Sequence, residues 1–193
     1  MLLVAGCTWQ QQLLLSLLPD DTFTVLLSNL QGVEETNRRR LEGFERAGDW
    51  DGLLRFAEEN IRHDPRTAEW RFVQGTAHGR KGDWTAAAAA FAEAQRLDPL
   101  DLENWHMRAQ AERLAGNPAR AVQTLERALA IKRNSAVTFY LLGEAHAAAG
   151  SRERAEAALR EALRLAPDFL EARRALELIS ATPPRARHDA LGA

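Results

Sequence analysis

The chain has 193 residues and a formal charge of -2, from 25 basic and 27 acidic side chains. That length can bury a sizeable core, as one domain or as an array of small units, and the even balance argues against a nucleic-acid binder, which concentrates a basic surplus on one face. The one cysteine, Cys7, excludes an internal disulfide framework and any multi-cysteine metal site; no run of about 18 apolar residues is present to span a bilayer, and the wealth of Ala, Leu, Arg and Glu predicts helix throughout.

Residues 1–7 read Met-Leu-Leu-Val-Ala-Gly-Cys. The run Val4-Ala5-Gly6-Cys7 resembles a bacterial lipobox, in which small residues precede a cysteine that is diacylated on sulfur and becomes the new N-terminus. The resemblance implies lipidation at Cys7 and a tether on the periplasmic side of a bacterial membrane. By the same resemblance, Thr8 at the next position, in place of Asp, implies the outer membrane. The basic leader that a signal requires is not in these seven residues; a start codon upstream of Met1 would supply it. The alternative is a frayed apolar terminus with an idle cysteine, and with it a soluble cytoplasmic adaptor or regulatory subunit.

Residues 8–33 carry Leu13, Leu14, Leu15, Leu17 and Leu18, a Pro19-Asp20-Asp21 break, and then Phe23, Leu26, Leu27, Leu30 and Val33. The spacing of three and four in the second group predicts an amphipathic helix packed on the end of whatever follows. With no Lys or Arg before Arg38, the segment suits an anionic membrane surface poorly. The leucine cluster over 13–18 is the candidate homodimer contact.

From residue 34 the chain repeats. Pro65 and Pro99 are 34 residues apart and Pro167 follows after 68 more, the missing beat falling on Arg133. Gly48, Gly82, Gly116 and Gly150 recur every 34 residues, two of them opening Gly48-Asp49-Trp50 and Gly82-Asp83-Trp84. In the same phase stand small residues at Gly75, Ala109 and Gly143, at Ala87, Ala121 and Ala155, and at Ala94, Ala128 and Ala162. Bulky ones stand at Phe91, Leu125 and Leu159. On these residues the chain resembles the tetratricopeptide repeat family, whose unit of about 34 residues is two antiparallel helices. The resemblance covers residues 34–181. It implies an all-α, right-handed α-solenoid: a degenerate unit at 34–67, full units at 68–101, 102–135 and 136–169, and a capping helix at 170–181. The tail 182–193, with Pro183-Pro184 and no apolar period, is expected to be disordered.

Each recurrence has a physical reason. Small residues let paired helices approach, and the bulky one fills the space beside them. A glycine after the first helix supplies a left-handed cap, and Asp49, Asp83, Asn117 or Ser151 can then cap the second helix. Thr67, Asp101, Ser135 and Asp168 stand where the next first helix should begin. The degenerate unit has Leu41 and Leu53 at the small places and Ala57 at the large one, a volume exchange that can keep the pair packed.

The resemblance puts the first helices on a concave face, where each surface position returns every repeat. One row holds Arg38, Phe72, His106, Tyr140 and Arg174; a second holds Glu42, Thr76, Gln110 and Glu144; Arg80 and Arg113 join them. These are the candidate partner-binding residues, for a protein or peptide that touches Phe72 and Tyr140 and pairs a carboxylate with an arginine. Glu42 beside Arg38 argues against capture of a terminal carboxylate, the mode of chaperone-binding members. His63, His78, His106, His146 and His188 have no ligand spacing, and no zincin, phosphate-loop or nucleophile-elbow motif occurs. Acid pairs such as Glu58-Glu59 diverge on a helix, whereas acid/base chemistry needs them to converge. The expectation is a non-catalytic scaffold without cofactor or metal, serving an envelope assembly such as pilus, secretion or outer-membrane machinery.

Overall fold

The four periodic glycines set the architecture. Gly48, Gly82, Gly116 and Gly150 have φ of 63°, 79°, 81° and 75°, a left-handed backbone that other residues rarely adopt. At each, the following N–H reaches back to a carbonyl five residues earlier: Asp49 to Phe44 and Asp83 to His78 at 2.9 Å, Asn117 to Glu112 and Ser151 to His146 at 2.8 Å. The chain reverses there and a second helix begins at once. The computed structural model describes residues 35–181, so the expectations for Cys7, for the leucine-rich segment and for the tail from 182 lie outside the described residues.

Among the described residues the order is α1 Glu35–Ala47, α2 Trp50–His63, α3 Ala68–Arg80, α4 Trp84–Leu97, α5 Leu102–Leu114, α6 Pro118–Ile131, α7 Ala136–Ala148, α8 Arg152–Leu165 and α9 Leu170–Ala181, with no strand. Each second helix packs on both its own first helix and the next one, and α7 touches both α5 and α9. This is an all-α solenoid, with successive first helices gathered on its inner side.

Caps follow the sequence in part. Asp49 accepts from the Gly52 N–H at 2.7 Å, Asp83 from Ala86 at 3.0 Å, Asp101 from Glu103 at 3.0 Å and Ser135 from Thr138 at 3.2 Å. Thr67, Asn117 and Ser151 stand at the cap positions without a side-chain capping bond. The Thr67 hydroxyl donates instead to Asp64, and the Asn117 amide donates to the Ala115 carbonyl at 3.3 Å. The last helix starts at Leu170, so Phe169 takes the place expected of Asp168 and buries its ring 5.0 Å from that of Tyr140.

The small-against-large contacts are close. A methyl group on Gly75 would stand 2.7 Å from the Phe91 ring, and one on Gly143 would stand 2.6 Å from Leu159 Cγ. In the first pair Leu41, Leu53 and Ala57 are all fully buried. The apolar core falls into two clusters, one running from Leu41 to Ala111 and the other from Ala109 to Ala172. They meet at α5, which also buries Asn104, His106, Gln110 and Glu112. Glu112 is satisfied by Arg108 Nε at 2.9 Å and by the Thr124 hydroxyl, which donates at 2.7 Å. His106 Nε2 lies 2.8 Å from the Thr138 hydroxyl, and burial, aided by the charge of Lys132, pulls its pKa down to about 4.

Gly143→Ala should destabilise the chain by about 1–3 kcal/mol in urea denaturation, by overpacking against Leu159. Combining it with Leu159→Ala should cost less than the two single changes summed. A midpoint unchanged by Gly143→Ala would show that α7 and α8 are not held at this distance.

Candidate protein-binding face

The inner side is built from α1, α3, α5, α7 and α9. The structure corrects the aromatic part of the expected groove. Phe72 is 6% exposed with its ring centroid 5.2 Å from that of Phe91, and Tyr140 is 8% exposed with its ring on Phe169. Thr76, His106 and Gln110 are buried as well; the Thr76 hydroxyl donates to the Phe72 carbonyl at 3.1 Å. These five form a seam between stacked helices, because a position that returns every repeat is repeatedly met by the same neighbour. What reaches solvent is charged: Arg38 and Arg174 are exposed at the two ends, with Glu42, Arg80, Arg113 and Glu144 half-buried between them.

Of these, Gln110, Arg113, Tyr140 and Glu144 are brought together. Gln110 Oε1 accepts from Arg113 Nε and Nη2 at 3.2 and 3.1 Å, and Arg113 Nη2 lies 3.6 Å from Glu144 Oε2. Burial raises the Tyr140 hydroxyl above the usual phenol range, and the charge of Glu144 and its hydrogen bond with the phenol add to that. The chain of contacts ties α5 to α7. The Arg80 guanidinium is engaged elsewhere, 5.5 Å from the centroid of the Trp50 ring.

An acidic cluster at the head of α5 escapes a reading by groove positions, with Asp98 and Asp101 exposed and Glu69 and Glu103 half-buried. The turn over 98–101 and the first turns of α3 and α5 contribute Asp98, Asp101, Glu69 and Glu103. Burial, then the charges of Asp98 and Glu69, raise the Asp101 carboxyl from its ordinary value, although a bond from the Glu103 N–H works the other way. Glu103 is pushed up to about 8, first by burial and then by the Asp101 charge. Part of the Glu103 residue reaches solvent, but its Oε1 is buried without any hydrogen-bond partner. Glu69, Glu103 and Glu171 do share a row, 34 and 68 residues apart. First-turn acids ordinarily serve the helix dipole, which hides that signal. Among the described residues no group of three or more His, Cys, Asp or Glu is placed to hold a metal ion.

Family models described as tetratricopeptide repeat match residues 45–101, 72–136 and 112–179. The chain belongs to the tetratricopeptide repeat family. No curated protein sequence matches it. Among solved structures, MamA is similar with a TM-score of 0.64 at 23% identity, over 71% of this chain and 80% of that one. A thermophilic tetratricopeptide protein of Thermus thermophilus gives 0.63 at 20% identity, over 82% and 86%. The first tetratricopeptide domain of Spaghetti (RPAP3), bound to the HSP90 peptide SRMEEVD, gives 0.55 at 24% identity, over 61% and 93%. At these identities the likeness is one of fold, and the binding residues of this tetratricopeptide array have to be argued from its own side chains.

Glu103 makes the stability of the array depend on pH. Between 4.5, the ordinary value for the side chain, and about 8, the folded chain keeps a proton that the unfolded chain has released, so stability falls as pH rises through that window. The melting temperature of the wild type should therefore drop relative to that of Glu103→Gln between about pH 5 and about pH 8. The lowered pKa of His106 acts in the opposite sense, removing stability as pH falls below 6.5, and is common to both proteins. A constant gap between the two melting curves would show that Glu103 ionises as freely in the folded chain as in the unfolded one.

Proposed function

We propose that the protein is a non-catalytic scaffold that holds a segment of another protein along its inner face. We further propose that a diacylated Cys7 tethers it to the periplasmic side of a bacterial membrane, in support of an envelope assembly. The observation that carries the docking role is the inner side itself, a row of first helices whose charged side chains reach solvent, from Arg38 and Glu42 through the Arg113–Glu144 pair to Arg174. The buried seam of Phe72, His106 and Tyr140 beneath fixes the backbone of that row, so docking costs little ordering entropy on the scaffold's side. Recognition on this face rests on charge pairing and hydrogen bonding, since the aromatic rings are committed to the core.

The Spaghetti domain, solved with an HSP90 peptide, supports peptide docking as a use of this fold. The carboxylates of Glu42, Glu69 and Asp101 oppose an acidic peptide end here. The tether is supported by the run Val4-Ala5-Gly6-Cys7. Among the described residues no helix is long and apolar enough to cross a membrane, so a covalent lipid is the attachment this reading needs.

Two substitutions on the inner face, Glu42→Lys with Arg174→Glu, should reduce capture of the partner at least about fivefold, as charge reversal at an interface does. Arg127→Glu, at an exposed position of α6, should leave capture unchanged. Quantitative mass spectrometry of co-purifying proteins from the native organism checks this, and equal loss or equal retention in both variants would remove the inner face from consideration. For the tether, metabolic labelling with palmitate should mark the wild type and spare Cys7→Ser. A wild type without label sinks the lipid anchor and leaves the docking role standing.

A further inference from the structure

We propose that the acidic cluster at the head of α5, around the unpartnered Glu103 oxygen, is a seat for an arginine side chain of the docked partner, with the Glu103 carboxylate as its central acceptor and Asp101 and Glu69 beside it. The inference rests on the docking role proposed for the inner face and names the chemistry of the partner there.

The first argument is the orphaned oxygen. A buried acceptor without a donor costs about 1–3 kcal/mol, and such groups are rare in native structures. Glu103 Oε1 is in that position. Its neighbours have structural uses. Asp98 Oδ1 accepts from the N–H groups of Leu100 at 3.2 Å and Asp101 at 3.3 Å, and Asp101 Oδ1 accepts from that of Glu103. The side chain of Glu103 has no such task in the fold.

The second is the sign of the cluster. Four carboxyl groups gather closely enough for the charges of Asp98 and Glu69 to act on Asp101 and that of Asp101 on Glu103, and none of the four has an arginine or lysine partner among the described residues. A small inorganic cation is disfavoured, because the acids are not placed as a ligand set. A guanidinium suits them better: its five N–H donors lie in a fixed plane and can address carboxylates that do not converge on a point.

The third is position and rigidity. Glu103 lies three, seven and ten residues before His106, Gln110 and Arg113, on the helix face that looks into the inner side. The turn that carries Asp98 and Asp101 is braced by the Trp105 indole N–H, which donates to the Pro99 carbonyl at 2.9 Å, and by the Asn104 amide, which donates to the Asp98 carbonyl at 3.4 Å. In the empty state burial keeps a proton on Glu103; an arriving guanidinium supplies the donor and the charge that favour the ionised form.

The test is an NMR titration of the whole chain with N-acetyl-arginine amide, using the citrulline analogue as the uncharged control. Arginine should shift the Glu103 amide and the Trp105 indole N–H saturably. The effect should be at least about fivefold weaker with citrulline and absent in Glu103→Gln, which is near-isosteric with the protonated acid and should melt no lower than the wild type near neutral pH. Shifts that fail to saturate, or that persist unchanged with citrulline or in Glu103→Gln, overturn the seat. If saturation fails while Glu42→Lys with Arg174→Glu still abolishes partner capture, the seat falls and the docking face stands. If arginine saturates Glu103 while the inner-face and α6 substitutions affect capture alike, the seat is upheld as a cation site and the docking face falls.

Discussion

The approach of a first helix to its partner is set by one recurring contact, a small side chain or none on one side and a bulky one on the other. Gly75 faces Phe91 and Gly143 faces Leu159 at distances that leave no room for a methyl group. Protein interiors are packed too densely to absorb such an intrusion without movement. The left-handed glycines fix the turn between the two helices, but this contact fixes how far apart they run. From that separation follow the angle at which the next pair stacks and the alignment of first helices along the inner side. The first pair reaches a packed state by exchanging the volumes, with Leu41 and Leu53 at the small places and Ala57 at the large one, all without exposure.

On this scaffold α5 is unlike the others. It carries buried Asn104, His106, Gln110 and Glu112, each tied to a specific neighbour or to its own turn. Apolar contacts tolerate sliding, whereas a buried carboxylate paired with Arg108 and Thr124 tolerates one arrangement. Breaking such a pair leaves an uncompensated charge. The polar layer therefore specifies how the front pairs of helices sit on the rear ones. It also connects the core to the inner surface, since Gln110 continues through Arg113 and Glu144 to Tyr140.

Much of the fold was legible because a repeat multiplies weak signals. One glycine or one alanine says little, but four glycines in a single phase predict four turns, and all four have the left-handed backbone. The caps were less legible: Thr67, Asn117 and Ser151 have the right chemistry, but two of them find nearer partners for their side chains. The face was misread at Phe72 and Tyr140 for a reason built into repetition. A row that recurs every 34 residues is equally the mark of a surface stripe and of a packing seam, and periodicity by itself does not say which. Glu103 was missed for the opposite reason, since an acid in the first turn of a helix is common enough to pass without comment. What distinguishes it is the burial of one oxygen, a property of the folded chain.

Because the apolar core of the described residues is split at α5, cohesion between the front and rear of the array passes through a layer that is part hydrocarbon and part hydrogen bond. In a solenoid each layer is held by its neighbours, so this mixed layer is where the two halves exchange independence for coordination. In that sense the described array is two apolar segments joined by a buried polar layer, in which His106 and Glu112 each hold one particular partner across helices.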